Sequence, residues 1–350
     1  MIYTVTGFYG TGSSAVTDVI KECKNVTCYE DYEIRFLHDP DGISDLEYNL
    51  VENPNRHNSS HAIKRFINAM DMLDHVYFIK RYSKHVGNDF KKYTDEFVKD
   101  ITIMKYRSYW HFDVYEKGRM FYFLDSIYRN LVWTFHNRLH TPLHKYTLLP
   151  KDESAILGVT NEDEFLHAVH KYVYNVISMV NKDHNPDVFL DQLVPPSNIK
   201  RYARYFKLND MKAIIVDRDP RDIYLSEKIV WKGGVAPTET VEQFITWYLW
   251  TRNTMEKCDD QLTHFVQFED LIYKYDNTVK NILDFYGIAE NRHTEIKKYF
   301  NPDISVNNTQ LWNKYPEYEE DIKKIEKELS KYCYNFPKEY NGKKKNVRSF

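Results

Sequence analysis

The chain has 350 residues, 42% of them hydrophobic and 28% charged, with a formal net charge of −3. That is enough to build one large α/β domain or two modest ones around a sizeable core. A near-neutral balance argues against a protein whose task is to coat nucleic acid. The four cysteines, Cys23, Cys28, Cys258 and Cys333, form no CxxC pair and sit beside no histidine cluster, so neither a disulfide framework nor a structural zinc is expected.

The first element is the apolar run Ile2–Thr6. It begins one residue after the initial Met, which leaves no room for a secretory leader. No apolar run approaches the roughly 18 residues that span a bilayer. The expectation is a cytoplasmic protein without a membrane span. Further strand-like runs follow at Val26–Tyr29, Val188–Leu190, Ala213–Val216 and Phe265–Phe268, with helical periodicity between several of them. That alternation predicts a parallel sheet with right-handed crossover helices.

From about 68 to 187 no strand is expected. The stretch "NEDEFLHAVHKYVYNVISMV" repeats apolar residues at three and four, and an aromatic, histidine-rich segment precedes it. The reading is one α/β domain over 1–350 with a helical insertion over about 68–187. The insertion offers aromatic residues near Tyr106, Trp110, Tyr122 and Trp133 for an acceptor molecule. "DLIYKYDNTVKNILDFYGI" reads as a helix closed by Gly287, and "PEYEEDIKKIEKELSKYC" as a charged amphipathic helix.

Two stretches carry chemistry. In "IYTVTGFYGTGSSAVTDVI" a strand runs into a loop with Gly7, Gly10 and Gly12, and then into a helix. Glycines permit positive φ and close backbone approach, so successive N–H groups can form an anion nest completed by the helix N-terminus. Ser13 and Ser14 add hydroxyls and are expected to cap that helix. The spacing fits the first half of a Walker A loop, but Ser13 stands where that loop needs Lys, which disfavours ATP. Gly10, Thr11, Gly12, Ser13, Ser14 and Ala15 are the expected phosphate contacts. In "KAIIVDRDPRDIYLSE" a buried strand ends at Arg218. Asp219 caps a helix opened by Pro220, and Ser226 lies eight residues beyond the arginine. An arginine and a hydroxyl facing the crevice of an open sheet suit an isolated phosphate.

On these residues the chain resembles the P-loop sulfotransferases of the bacterial carbohydrate type, which use 3′-phosphoadenylyl sulfate. "RDPRDIYLS" is similar at every fixed position to that family's segment for the 3′-phosphate, and "FVQFEDLIYKYDNTVKNILDFYGI" to a late family segment. The resemblance implies an α/β, parallel-sheet P-loop sulfotransferase-like fold with a large helical insertion. It implies 5′-phosphosulfate at the Gly10–Ala15 loop, and the 3′-phosphate at Arg218 and Ser226. The reaction implied is sulfuryl transfer to a hydroxyl of a carbohydrate-like acceptor.

The family's loop lysine falls on Gly10, so another cation is required. Arg35, Lys64, Arg65, Lys80 and Lys105 are candidates, with Lys64 and Arg65 favoured. For the base the resemblance points to Glu33, with His38, Asp39 and Asp41 as competitors. Asp191 and Gln192 either orient a ligand in the same crevice or cap the following turn. Trp312 is expected to stack on adenine, in a loop with Asn308. No metal site is expected. Two other functions stay open, a non-catalytic nucleotide-binding protein on a degenerate sulfotransferase fold and a small-molecule kinase.

Overall fold

The computed structural model describes residues 1–28, 33–75, 86–108, 117–139, 154–253, 260–340 and 342. Lys80, Trp110 and Cys258 lie outside them. The chain divides into two compact units, Met1–His38 with Ile177–Phe350, and Asp39–Val176. The inserted unit thus begins at Asp39 rather than near 68 and ends at Val176 rather than 187.

The first unit is organised on five parallel strands: β1 (Ile2–Gly7), β2 (Val26–Cys28), then, after the inserted unit, the strands Asp187–Asp191, Met211–Asp217 and Thr263–Gln267. Numbered along the whole chain, these last three are β5, β6 and β7, and the sheet order is β2-β5-β1-β6-β7. All five expected strands are present; β2 starts at Val26 as expected and its expected end, Tyr29, lies outside the described residues, the other four differ by a residue or two at one or both ends, and Phe268 starts a helix instead of ending a strand. β1 is central, with Ile2 in register with both Val188 and Met211. The chain leaves β1 toward one edge and later crosses from β5 to β6 on the other side. The C-terminal end of β1 is therefore the switch point at which open α/β sheets bind ligands.

Alternation along β1 assigns its two faces. Tyr3 and Val5 pack into a core with Val16, Val19 and Ile20 of α1 (Ser13–Lys21) and with Ile282, Leu283 and Tyr286 of the helix Tyr275–Tyr286. Gly287 ends that helix at φ 76°, as its sequence requires. Thr4 and Thr6 face the other way and are fully buried. Their hydroxyls serve the end of β5, with Thr4 Oγ1 accepting from Leu193 N and Thr6 Oγ1 donating to Gln192 Oε1. A second core joins Ile223, Tyr224 and Leu225 to Phe244 and Tyr248 of the helix Val241–Thr251 and to Ile322 and Ile325 of the helix Glu319–Glu328.

The second unit holds the helices Arg56–His75, Phe90–Asp100, Arg119–Leu139 and most of Glu162–Val180. It also contains an antiparallel pair, β3 (Thr102–Arg107) with β4 (Ser154–Gly158), where the sequence suggests no strand. Thr102, Ile103 and Tyr106 in β3 and Ile156 in β4 carry β-propensity, and pairing across more than forty intervening residues supplies what local pattern does not. Phe97 stacks on Tyr172 at 4.8 Å in the core of this unit.

Glu22, at the end of α1, ties the first unit's surface to its core. Its carboxylate accepts from His293 Nε2 at 2.6 Å and from the backbone N–H groups of Tyr299 and Phe300. Burial pushes its pKa up, but these bonds outweigh burial and hold it below the ordinary value of 4.5. The stability this contributes is fully present above pH 4.5 and is lost as pH falls through the lower native value. Glu22→Gln should lower stability at neutral pH by roughly 1–3 kcal/mol and flatten the acid limb of the thermal midpoint. A variant whose midpoint falls with acid as steeply as the native protein's would contradict this.

Candidate functional site

A cavity of about 720 Å³ opens at the C-terminal end of β1, within the size range of small-molecule sites. Every residue lining it belongs to the first unit. Its floor is the loop after β1. Gly10 and Gly12 take left-handed φ of 74° and 81°. At Gly12 a Cβ would also meet the Phe268 ring at 2.7 Å, so only glycine fits. Gly7 keeps ordinary φ and serves by close approach, because a Cβ there would lie 2.4 Å from Thr11 Oγ1. Thr11 in turn folds over the loop, its hydroxyl donating to Phe8 O at 2.6 Å.

The helix cap differs from the expectation. Gly12 is the N-cap of α1 and no side chain caps it. Ser13 Oγ instead accepts from Gln192 Nε2 at 3.2 Å, so the serine links the loop to the end of β5 and does not satisfy its own helix. Within the first turn of α1 Ala15 N donates to Gly12 O at 3.0 Å, and helix N-terminal amides without an intrahelical partner can serve an anion. Gly10, Thr11, Gly12, Ser13, Ser14 and Ala15 all line the cavity.

Arg218 and Ser226 meet as their spacing suggests. Asp219 caps the helix Pro220–Leu225 by accepting from Arg221 N, and a π-helical turn over Ser226–Trp231 follows. That places Ser226 Oγ 3.2 Å from Arg218 Nη2. The guanidinium also donates to Gly10 O at 3.2 Å and to Asn308 O at 2.6 Å, and lies 5.2 Å above the Phe268 ring. Arg218 is 4% exposed, yet it makes no ion pair among the described residues and its Nε is buried without a partner. A buried cation held only by carbonyls and a hydroxyl is incompletely balanced.

Burial pushes the carboxyl groups of Asp222 and Glu269 up, and the Arg218 guanidinium draws both back down. Both are committed elsewhere: Asp222 accepts from Gln310 N and Leu311 N, and Glu269 from Asp219 N.

Other expected residues fall differently. Trp312 is outside the cavity, where Arg221 stacks on it at 4.2 Å and Phe336 packs against it. The aromatic rim comes from Trp231 and Trp250, 55% and 76% exposed, and from Tyr9. Nothing in the sequence marks them, since their exposure follows from the π turn and from the outer face of the helix Val241–Thr251. Lys64 and Arg65 belong to the second unit, where Arg65 Nε donates to Asp41 Oδ1 at 2.8 Å. Among the candidate cations Arg35 lines the cavity, and its Nη1 is 3.1 Å from Glu33 Oε2. Glu33 also lines the cavity, with its side chain half exposed. Tyr106, Tyr122 and Trp133 are in the second unit, the last two on the exposed surface of the helix Arg119–Leu139.

The sequence matches no protein-family model and no curated protein. Among the described residues no helix is long and apolar enough to cross a membrane.

The loop geometry yields a direct test. Gly12→Ala must shift either the backbone or the Phe268 ring, at roughly 1–3 kcal/mol. Chemical denaturation should register that loss, whereas Gly118→Ala, with no atom within 4 Å of an added Cβ, should lose less. Equal effects at the two positions would remove the steric account of the loop.

Proposed function

We propose that the protein is a sulfotransferase that takes a sulfuryl group from 3′-phosphoadenylyl sulfate and passes it to a hydroxyl of a carbohydrate-like acceptor. One observation carries the reading. A buried, incompletely balanced arginine contacts a serine hydroxyl beside a lysine-free glycine loop, at the switch point of a parallel sheet. Such a pair suits an isolated phosphate, and the loop amides suit a second anionic group that needs no lysine. A 3′-phosphorylated nucleotide carries both groups. ATP carries neither a 3′-phosphate nor a use for a loop without its lysine.

In this reading Gly10–Ala15 hold the 5′-phosphosulfate, and Arg218 with Ser226 hold the 3′-phosphate. Arg35 is the cavity's cation in place of the loop lysine. Trp231, Trp250 and Tyr9 offer flat faces for the base or for an acceptor sugar. The bound nucleotide supplies an activated sulfuryl group; the chain's share is to hold its two charged ends, exclude water and remove the acceptor's proton. Fourfold use of Arg218, by Gly10, Ser226, Asn308 and the ligand, makes it a poor residue to delete. Ser226→Ala leaves its other bonds in place.

Calorimetric titration with adenosine 3′,5′-bisphosphate should show binding at least tenfold tighter than AMP or ATP, since a charge-assisted phosphate contact is worth about 1.4 kcal/mol or more. Ser226→Ala should narrow the bisphosphate's advantage over AMP by roughly tenfold while leaving AMP itself little changed. ATP binding as tightly as the bisphosphate would refute the assignment.

A further inference from the structure

We propose that Asp191, not Glu33, is the base that takes the proton from the acceptor hydroxyl. The assignment rests on the sulfotransferase reading and deepens it.

Asp191 is the last residue of β5, the strand beside β1, so its carboxyl is fixed by the sheet at the C-terminal edge where the cavity opens. The backbone around it is held from three sides. Asp191 O accepts from Ile34 N, Gln192 N donates to Val5 O, and the Gln192 side chain spans Thr6 and Ser13. Gln192 adopts a left-handed φ of 55°, a strained conformation that turns the chain sharply just after the carboxyl. The strand and the phosphate loop are thus clamped together, with Asp191 between a rigid floor and the cavity.

Asp191 Oδ1 is buried and has no hydrogen-bond partner among the described residues. A buried carboxylate oxygen is normally satisfied, so an orphan on a cavity wall is a proton acceptor held in reserve. The groups facing it explain its affinity for a proton. Burial pushes it up to about 7, and the negative charges of Glu33 and Asp18 add to this. Lys21 and the Gln192 backbone N–H act in the opposite direction. The Tyr286 hydroxyl, from the helix below the sheet, is turned away and donates to Thr4 O. Glu33 is less suited to the task, being half exposed and already paired with Arg35. A base that titrates near the working pH combines availability with strength.

The step balances. The acceptor oxygen forms its bond to sulfur as the bond from sulfur to the bridging phosphate oxygen breaks. The electron pair leaves with adenosine 3′,5′-bisphosphate. The hydroxyl proton passes to Asp191 and then to solvent. Asp191 is competent when ionised, so the rate rises with pH through its titration and then levels.

Two measurements decide the matter. Carboxyl ¹³C NMR of the protein labelled at aspartate, with Asp191→Asn to assign the signal, reads the titration without any turnover. Release of labelled sulfate from 3′-phosphoadenylyl sulfate, to water and to added methyl glycosides, is followed against pH for native protein, Asp191→Asn, Asp191→Glu and Glu33→Gln. We expect Asp191 to titrate near neutrality. Asp191→Asn should keep bisphosphate binding within about twofold, lose about 10²-fold or more in rate, and lose the rising limb. Asp191→Glu should recover part of the rate, and Glu33→Gln should keep the limb. An Asp191 signal titrating in the ordinary carboxylate range, or a rising limb that survives in Asp191→Asn and vanishes in Glu33→Gln, overturns the assignment and leaves the sulfotransferase reading standing. A native protein that does not bind the bisphosphate, or binds it and releases no sulfate, overturns both.

Discussion

The guanidinium of Arg218 is the constraint around which the first unit is arranged. One buried cation reaches the loop after β1 through Gly10 O, the helix after β6 through Ser226 Oγ, and the late turn through Asn308 O. The first two adjoin because β1 and β6 are neighbouring strands, and the turn at Asn308 is brought to them from far along the chain. Removing a charge from water is costly unless opposite charge or good hydrogen bonds replace the lost hydration. Carbonyl dipoles and the face of Phe268 supply part of that, and no carboxylate forms an ion pair with Arg218 among the described residues. The guanidinium is thus a buried cation at the C-terminal edge of the sheet, beside a cavity that Asp18, Glu33, Asp191 and Glu227 also line.

The carboxyl groups around the site follow the same logic. Asp219 is a working anion, satisfied by Arg221 and by Tyr334 N. Asp222 and Glu269 each pin backbone amides, Asp222 those of Gln310 and Leu311 and Glu269 that of Asp219. Asp191 Oδ1 and Glu269 Oε2 are buried without a hydrogen-bond partner among the described residues, and of the two residues Asp191 lines the cavity. Environment divides chemically similar side chains into caps, braces and a carboxyl on the cavity wall.

Much of this was legible in residue order, and the reasons are local. β1, β5 and β6 are short runs of β-formers bounded by turn residues. The pair Asp219–Pro220 specifies a helix start with little ambiguity. The meeting of Arg218 with Ser226 follows from two helical turns. What escaped were consequences of tertiary packing. Ser13 is drawn away from capping by Gln192, a partner 179 residues distant. Trp312 is claimed by Arg221, whose side chain must lie somewhere once Asp219 has fixed it. β3 and β4 pair across a long interval that periodicity does not see. The cavity's aromatic rim depends on a π turn, which no sequence pattern announces.

The central claim is that the loop after β1 and the segment Arg218–Ser226 grip two ends of one ligand. Amide hydrogen exchange, measured with and without adenosine 3′,5′-bisphosphate, tests it most directly. Residues Gly10–Ala15 and Arg218–Ser226 should both slow markedly on addition of the bisphosphate, and AMP should slow the first segment alone. Protection of neither segment, or the same pattern with AMP as with the bisphosphate, would contradict the account.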